Sequence, residues 1–183
     1  EIINWGTEQQ PLIMGIIVSV VMGMVLTLPI SSAALGIILN LSGLAAGAAT
    51  VGCCCQMVGF AVSSFRENKV GGLIAQGVGT SMLQVPNIYK NPFIWIPPTL
   101  ASAILGPIGT IVFQMTNNAT GSGMGTSGFV GQIMTWQTMA GSEDGIILLI
   151  KILLIQFVFP AILTLIFSEF MRKKGLIKFG DMK

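Results

Sequence analysis

The sequence predicts an all-α integral membrane protein, a helical bundle with proline-broken spans and re-entrant segments. Hydrophobic residues make up 52% of the 183 residues, whereas charged residues make up only 9%. A soluble domain carries about 25% charged residues, so this chain has too few charges to cover its surface in water. Long apolar stretches separate the few charged positions, and about 20 such residues suffice for one helix to cross a bilayer.

Four stretches are long enough to span, at about 12–39, 41–65, 93–115 and 145–167, and we expect them to form a single transmembrane domain over residues 1–183. The first contains Pro29, where we expect a break because proline removes a backbone donor and clashes with the preceding turn. The second is rich in Gly and Ala, which permit close helix packing. The chain begins at Glu1 with no signal-peptide pattern, and we interpret it as the C-terminal part of a longer protein.

Two shorter stretches, at about 70–84 and 124–139, are interpreted as re-entrant segments. The first is too short to span, and its four glycines weaken it as an ordinary helix. Irregular backbone at membrane depth is tolerated only where protein or a water-filled cavity surrounds it. Both segments are therefore expected to fold back into the bundle around a polar interior.

The distribution of Lys and Arg predicts the orientation. The loop Arg66–Lys69 and the tail from Arg172 carry positive charge, whereas residues 116–144 contain neither Lys nor Arg. Because basic residues concentrate on the cytoplasmic side, the loop and the tail should both be cytoplasmic. Residues 116–144 should lie outside or fold back into the membrane. Lys151, within the last span, is expected to extend its amine to the outer interface.

The most distinctive segment is the glycine-rich run 117–132. Glycines at this density let backbone amides approach a ligand and adopt positive φ, and successive amides can form a binding concavity. A plain outer loop is the alternative, but apolar residues follow the run, which favours a segment folded around a site. Its Gly-x-Gly-x-x-Gly pattern follows no strand, so a dinucleotide site is not indicated. The candidate solute-binding residues are Asn117, Asn118, Gly123, Gly125, Thr126, Ser127, Gly128 and Gln132.

Three further candidates lie elsewhere in the chain. Ser31 and Ser32 follow the proline break and can satisfy backbone groups freed there. Glu8 precedes the first span and could accept a hydrogen bond from a sugar hydroxyl or bind a cation, although an exposed acid before a helix is the simpler interpretation. Cys53, Cys54 and Cys55 are consecutive, and residues about 100° apart on a helix cannot converge on one metal ion.

No catalytic constellation is apparent. The chain has no His, which removes the commonest general base and metal ligand, and no nucleophile–base pair or carboxylate pair is recognisable. We therefore expect neither catalysis within this chain nor a cofactor or metal. The net charge of +2 is too small to indicate nucleic-acid binding.

Three runs resemble one known family. Residues Gln9–Gly15, Leu26–Ala34 and Gly123–Gly131 are similar to the membrane IIC-type domain of bacterial phosphotransferase-system proteins, in particular to the divergent branch that includes the perfringolysin regulator PfoR. The resemblance implies a sugar-permease-like fold in the bacterial inner membrane, with a substrate site near the midplane. It also implies a cytoplasmic IIB or regulatory partner, whose Cys or His carries the phosphate.

The chain departs from that family in two respects. It has no His, and its cysteines lie in a predicted membrane helix, so no phosphocarrier domain is expected in it. The Gly-Ile-Thr-Glu-Pro motif of glucose-family permeases is absent, and Trp5-Gly6-Thr7-Glu8 is its nearest counterpart.

The leading hypothesis is a permease-like domain that binds and translocates a small polar, sugar-like solute, because broken spans mark such sites. A membrane sensor or regulator that keeps the fold without transport is the alternative, and a channel or scaffold is a third. The expected partners are the solute, the lipid bilayer, the cytoplasmic IIB or regulatory protein and further copies of the chain.

Overall fold

The computed structural model describes residues 1–183. It is 79% helical and contains no strand, which confirms the all-α fold class. Three helical stretches are long and apolar enough to cross a membrane, Gly43–Ser63, Pro92–Val112 and Gly145–Lys173, and Pro11–Thr27 is a shorter apolar helix. The chain is therefore a membrane protein built from apolar helices.

The α-helices are numbered in chain order. They are α1 (Ile2–Gln9), α2 (Pro11–Thr27), α3 (Ser32–Ile38), α4 (Gly43–Ser63), α5 (Phe65–Ile74), α6 (Val85–Lys90), α7 (Ile96–Pro107), α8 (Ala119–Ser122), α9 (Val130–Met139), α10 (Gly145–Leu153) and α11 (Phe159–Lys173). Three π-helical segments, Ala75–Gly79, Ile108–Val112 and Leu154–Val158, and three 3-10 turns, Ser81–Gln84, Pro92–Trp95 and Ser127–Phe129, complete the helical structure.

Helix α4 is the centre of the bundle, and every residue from Ala45 to Ala61 is buried. It packs against α2, α7 and α11. Small residues allow the backbones to approach closely: a Cβ on Gly23 of α2 would lie 2.7 Å from the Gly52 carbonyl oxygen of α4. The interpretation of this span as a helix surrounded by other helices rather than by lipid agrees with the burial.

A proline lies next to each π-helical segment within the two long broken helices. Pro160 follows the π segment Leu154–Val158, and Pro107 precedes the π segment Ile108–Val112. Because proline has no N–H and displaces the turn before it, Pro160 explains the shift of the segment before it to the i→i+5 pattern. Phe159 N donates to the Leu154 carbonyl 5 residues earlier, in keeping with this shift.

The first predicted span is divided at its proline. Helix α2 ends at Thr27, and α3 begins at Ser32 after an extended Leu28. Ser31 caps α3 by accepting a hydrogen bond from Ala34 N at 3.2 Å, which satisfies one of the free amides at a helix start. The interval 12–39 is thus two helices of 17 and 7 residues.

Two broken segments approach the middle of α4 from its opposite ends. Hairpin A (residues 70–90) reverses at Thr80, and its Gln76 donates to Ser64 Oγ, just beyond the end of α4, at 3.1 Å. Hairpin B (residues 116–139) begins where Asn117 N donates to the Gly43 carbonyl at 3.2 Å, at the start of α4. Whether either hairpin lies at membrane depth stays a prediction.

Hairpin B then runs along α4 to its midpoint. A Cβ on Gly125 would lie 2.9 Å from the backbone carbon of Cys53, which is ten residues, or about 15 Å, beyond Gly43 at 1.5 Å per residue. The chain then turns back, and a Cβ on Gly131 would lie 3.1 Å from Thr50 Cγ2. The tips of the two hairpins meet near the middle of the bundle.

The stretch Arg66–Lys69, predicted as a cytoplasmic loop, is the first turn of α5, which breaks at Lys69 with a φ of +54°. It lies at the same end of the molecule as the tail. Arg172 Nη2 donates to the two carboxylate oxygens of Glu67 at 2.9 and 3.2 Å, and Asn68 Nδ2 donates to the Met182 carbonyl at 2.6 Å. These contacts agree with the shared side that the charge distribution predicts. Which side is cytoplasmic stays a prediction.

Candidate functional site

A cavity of about 170 Å³ lies where hairpin A, hairpin B and the broken first span converge beside α4. The lining residues are Leu26, Ser31, Ser32, Ala33, Met57, Gly79, Thr80, Met82, Gly123, Met124 and Ser127. Met57 lies 14 residues into the 21-residue helix α4. The cavity therefore lies about two thirds of the way along α4, with Met57 buried at its inner wall and Ser31, Gly79 and Met82 exposed at its rim.

Hydrogen bonds between irregular segments build the cavity wall. Ser32 Oγ donates to the Gly123 carbonyl at 2.6 Å, joining the start of α3 to hairpin B. Ser127 Oγ donates to the Gly79 carbonyl at 3.0 Å, and Thr126 Oγ1 donates to the Gly77 carbonyl, joining the two hairpins. Short polar side chains thus satisfy carbonyls that no regular helix satisfies, as buried backbone requires.

The lining is uncharged and mixed in character. Four hydroxyl residues, Ser31, Ser32, Thr80 and Ser127, lie among Leu, Ala and Met side chains, and no lining residue is ionisable. A hydroxyl group has one donor and two acceptor sites, so each keeps unused hydrogen-bonding capacity after its single contact within the wall. Such a surface suits a neutral solute that carries hydroxyl groups.

The sequence-predicted site residues divide into those that line this cavity and those that support it. Ser31, Ser32, Gly123 and Ser127 line it. Gly125, Thr126 and Gly128 belong to the same tip of hairpin B but do not line the cavity. Thr126 is fully buried and holds hairpin A. Gly125 and Gly128 have φ values of +52° and +53°, a conformation that glycine adopts at low cost.

Asn117 and Gln132 lie in a separate buried network behind hairpin B. Asn117 Nδ2 lies within 3.1 Å of three acceptors, Thr50 Oγ1, the Gly131 carbonyl and Thr135 Oγ1. Gln132 Nε2 donates to Gln156 Oε1 at 2.8 Å. Their polar groups are directed into helix contacts, so the structure gives them a packing role rather than a place in the cavity wall.

Asn118 and Glu8 also lie away from the cavity wall. Asn118 Oδ1 accepts a hydrogen bond from Gly121 N at 2.9 Å, capping the short helix α8. Glu8 is exposed on α1, which packs beside the start of α4, where Asn4 Nδ2 donates to the Asn40 carbonyl. Asn117, Asn118 and Gln132 thus lie apart from Gly123 and Ser127, because only the tip of hairpin B reaches the cavity.

The three cysteines are fully buried in α4. Cys53 lies beside the carbonyls of Met22 and Ser122, and Cys55 packs in an apolar cluster with Val51 and Leu105. No group of three or more His, Cys, Asp or Glu side chains is arranged to hold a metal ion. The sulfur atoms fill space at tight helix crossings.

Sequence reasoning missed Thr80 and Met57, whereas the buried Gln56 next to Met57 was expected as a polar residue that bonds between helices or lines a polar path. Gln56 accepts hydrogen bonds from Thr27 Oγ1 at 3.3 Å and Trp95 Nε1 at 3.1 Å, and donates to Thr99 Oγ1 at 3.1 Å. This network braces α2, α4 and α7 directly behind the cavity. Thr80 could have been found as the polar residue that ends a glycine-rich run, but nothing in the sequence marks Met57.

The fold and the cavity can be compared with known proteins. The whole chain, residues 1–183, matches the family described as "Phosphotransferase system, EIIC". The chain belongs to this EIIC family. The predicted family resemblance is thereby confirmed. Neither the curated proteins nor the solved structures contain a significant match.

Membership of the EIIC family indicates a sugar-permease-type membrane domain. EIIC domains are sugar-permease-type membrane domains that act with cytoplasmic IIB partners and sugar substrates. An uncharged cavity lined by hydroxyl groups is compatible with that class. The individual solute and the route of transport depend on this chain's own residues.

Proposed function

We propose that this EIIC domain binds a small neutral polyol or sugar in the cavity between the tips of hairpins A and B and moves it across the bacterial inner membrane as a multi-pass protein. The main support for this proposal is that three broken backbone segments converge on one uncharged cavity. Broken helices near the middle of a bundle are the usual place for a transporter's solute site.

The residues divide into two roles under this proposal. Ser31 and Thr80 each accept one backbone hydrogen bond, from Ala34 N and Met82 N respectively, so their hydroxyl protons are free to donate to a solute oxygen. Ser127 donates to Gly79, so its lone pairs are free to accept from a solute hydroxyl. Met57 and Met82 supply apolar surface for the faces of a sugar ring.

Absence of charge in the cavity is a selective feature. A carboxylate or phosphate group would enter a site without a cation to pair with, and burying an unpaired charge is strongly unfavourable. A neutral solute needs only hydrogen bonds, which the hydroxyls and the backbone groups of hairpin tips supply. We therefore infer that the incoming solute is unphosphorylated.

The proposal is tested by calorimetric titration of the purified protein with a panel of hexoses, hexitols and their 6-phosphates. A neutral member should bind, and Ser31→Ala or Ser127→Ala should each weaken binding by about 1 kcal/mol, the contribution of one neutral hydrogen bond. Ser142→Ala, at an exposed serine outside the cavity lining, is the matched control and should bind normally.

If the wild-type protein and the Ser31→Ala, Ser127→Ala and Ser142→Ala variants bound the neutral solute with equal affinity, the cavity would not be the solute site. Preferential binding of a 6-phosphate would contradict the argument from charge. Uptake of the bound solute into proteoliposomes then distinguishes transport from the alternative, a sensor that retains the fold, because a sensor binds without uptake.

A further inference from the structure

The C-terminal tail folds back beneath the bundle and fastens hairpin A. Helix α11 ends in a Schellman arrangement, in which Leu176 N donates to the Met171 carbonyl and Gly175 adopts a φ of +75°. This reversal directs residues 176–183 toward hairpin A. Met182 is fully buried there, in a cluster with Phe60 and Ile94.

The tail is held by side-chain amides of hairpin A and of the first turn of α5. Asn68 Nδ2 and Gln84 Nε2 donate to the Met182 carbonyl at 2.6 and 3.1 Å. Asn87 Nδ2 donates to the Lys183 carbonyl at 3.1 Å. Gln84 also donates to Gln76 Oε1 at 3.2 Å, so the same residue that holds the tail joins the two arms of the hairpin.

Hairpin A separates the solute cavity from a second space on the tail side. The second cavity, of about 260 Å³, is lined by Asn68, Gly71, Gly72, Ala75, Gln76, Leu83, Gln84, Asn87 and Lys183. Its neighbours along the chain, Gly79, Thr80 and Met82, line the solute cavity instead. A single hairpin tip is therefore the partition between the two spaces.

We propose that residues 176–183 are a latch that holds hairpin A shut, and that the solute cavity opens to this end of the bundle only when the latch is released. The proposal rests on the proposed function of the cavity and adds its regulation. On release, water can replace the tail carbonyls as acceptors for the carboxamides of Asn68, Gln84 and Asn87, so the main cost is exposure of the buried Met182 side chain. The hairpin can then separate from α2, where Ser81 Oγ and Thr27 Oγ1 are 2.9 Å apart.

Opening of the hairpin is measured with a single cysteine at Ser81, which is fully buried in the latched state. Cys53, Cys54 and Cys55 are first replaced by Ala, and Ser81→Cys is labelled with a membrane-impermeant maleimide in vesicles whose tail face is outward. Met182→Asp places a charge in the apolar cluster and should raise the labelling rate at least tenfold. Asn68→Ala removes a side chain whose amide donates only to the tail. This change should raise the labelling rate of Ser81→Cys by a smaller factor than Met182→Asp does.

Phe179→Ala is the matched control, because this tail side chain is 76% exposed and its loss should leave the rate unchanged. An unchanged rate in Met182→Asp would overturn the latch, and an equal increase in Phe179→Ala would do so as well. If Met182→Asp does not fold, Asn68→Ala alone decides between the same two outcomes. The labelling uses no solute, so failure of solute binding and failure of the latch are separate results.

Discussion

Two glycines at the tip of hairpin B have nearly the same positive φ and very different surroundings. Gly125 has a φ of +52°, and a Cβ added there would lie 2.9 Å from the backbone carbon and from the Cβ of Cys53. Gly128 has a φ of +53°, and its nearest new neighbour would be Val130 Cγ2 at 3.9 Å. Gly125 is therefore required both for conformation and for space, whereas Gly128 is required for conformation alone.

Replacing each glycine by alanine separates the two requirements. Gly128→Ala should lower the free energy of unfolding by about 1–2 kcal/mol, the cost of an L-residue in the left-handed region. Gly125→Ala should cost more, because hairpin B must also move away from α4. Unfolding of the detergent-solubilised protein in increasing SDS measures both. Equal losses for the two variants would show that the close approach to Cys53 carries no energetic weight.

At the scale of elements, two ion pairs connect the same parts of the fold in different environments. Arg172 and Glu67 join the end of α11 to α5, with side chains 9% and 0% exposed. Arg66 and Glu169 join the same two helices nearby, with side chains 60% and 38% exposed. Exposed pairs contribute about 0–1 kcal/mol, whereas removal of one partner from a buried pair costs about 3–5 kcal/mol.

The two pairs therefore give a matched comparison. Arg172→Ala leaves the Glu67 carboxylate buried without its partner and should lower the free energy of unfolding by about 3–5 kcal/mol. Arg66→Ala should change it by no more than about 1 kcal/mol. The same SDS unfolding assay measures both variants. Similar small losses would mean that water reaches Glu67 when Arg172 is shortened.

At the scale of the whole molecule, separate sets of contacts hold the charged start of α5 to the tail and the α9–α10 connection to α10. Glu67 accepts hydrogen bonds from Arg172 and from Gly180 N, which ties the start of α5 to the tail. Lys151 donates to Glu143 at 2.5 Å and to the Phe113 carbonyl at 3.3 Å. The only basic residue of the last predicted span is thus paired with an acid from the segment expected outside.

Cysteine labelling tests this arrangement in the membrane. In a background without the native cysteines, Lys69→Cys and Phe179→Cys should react with an impermeant maleimide from one face, and Gly141→Cys from the other. All three positions are exposed, so accessibility does not bias the comparison. Labelling of Lys69→Cys and Phe179→Cys from opposite faces would contradict the topology.

Composition and local pattern determined much of this protein. The charged content of 9% predicts a bundle of apolar helices. Pro29 predicts the break between α2 and α3, and the small residues of 43–63 predict the central helix. Each is a local property, since propensity, proline chemistry and water exposure act within one turn or one face. Ser31, Ser32, Gly123 and Ser127 were found by the same local reasoning, as polar or glycine residues in broken segments.

Only the tertiary structure decided which broken segments meet. Thr80 and Met57 join the cavity because hairpin A and hairpin B enter from opposite ends of α4, whereas Asn117 and Gln132 face helices behind it. The pairing of Thr126 with Gly77, and of the tail carbonyls with Asn68 and Asn87, spans 49 to 114 residues of sequence. Such contacts depend on how helices cross, which is set by the packing of the whole bundle and leaves no periodic signal in the sequence.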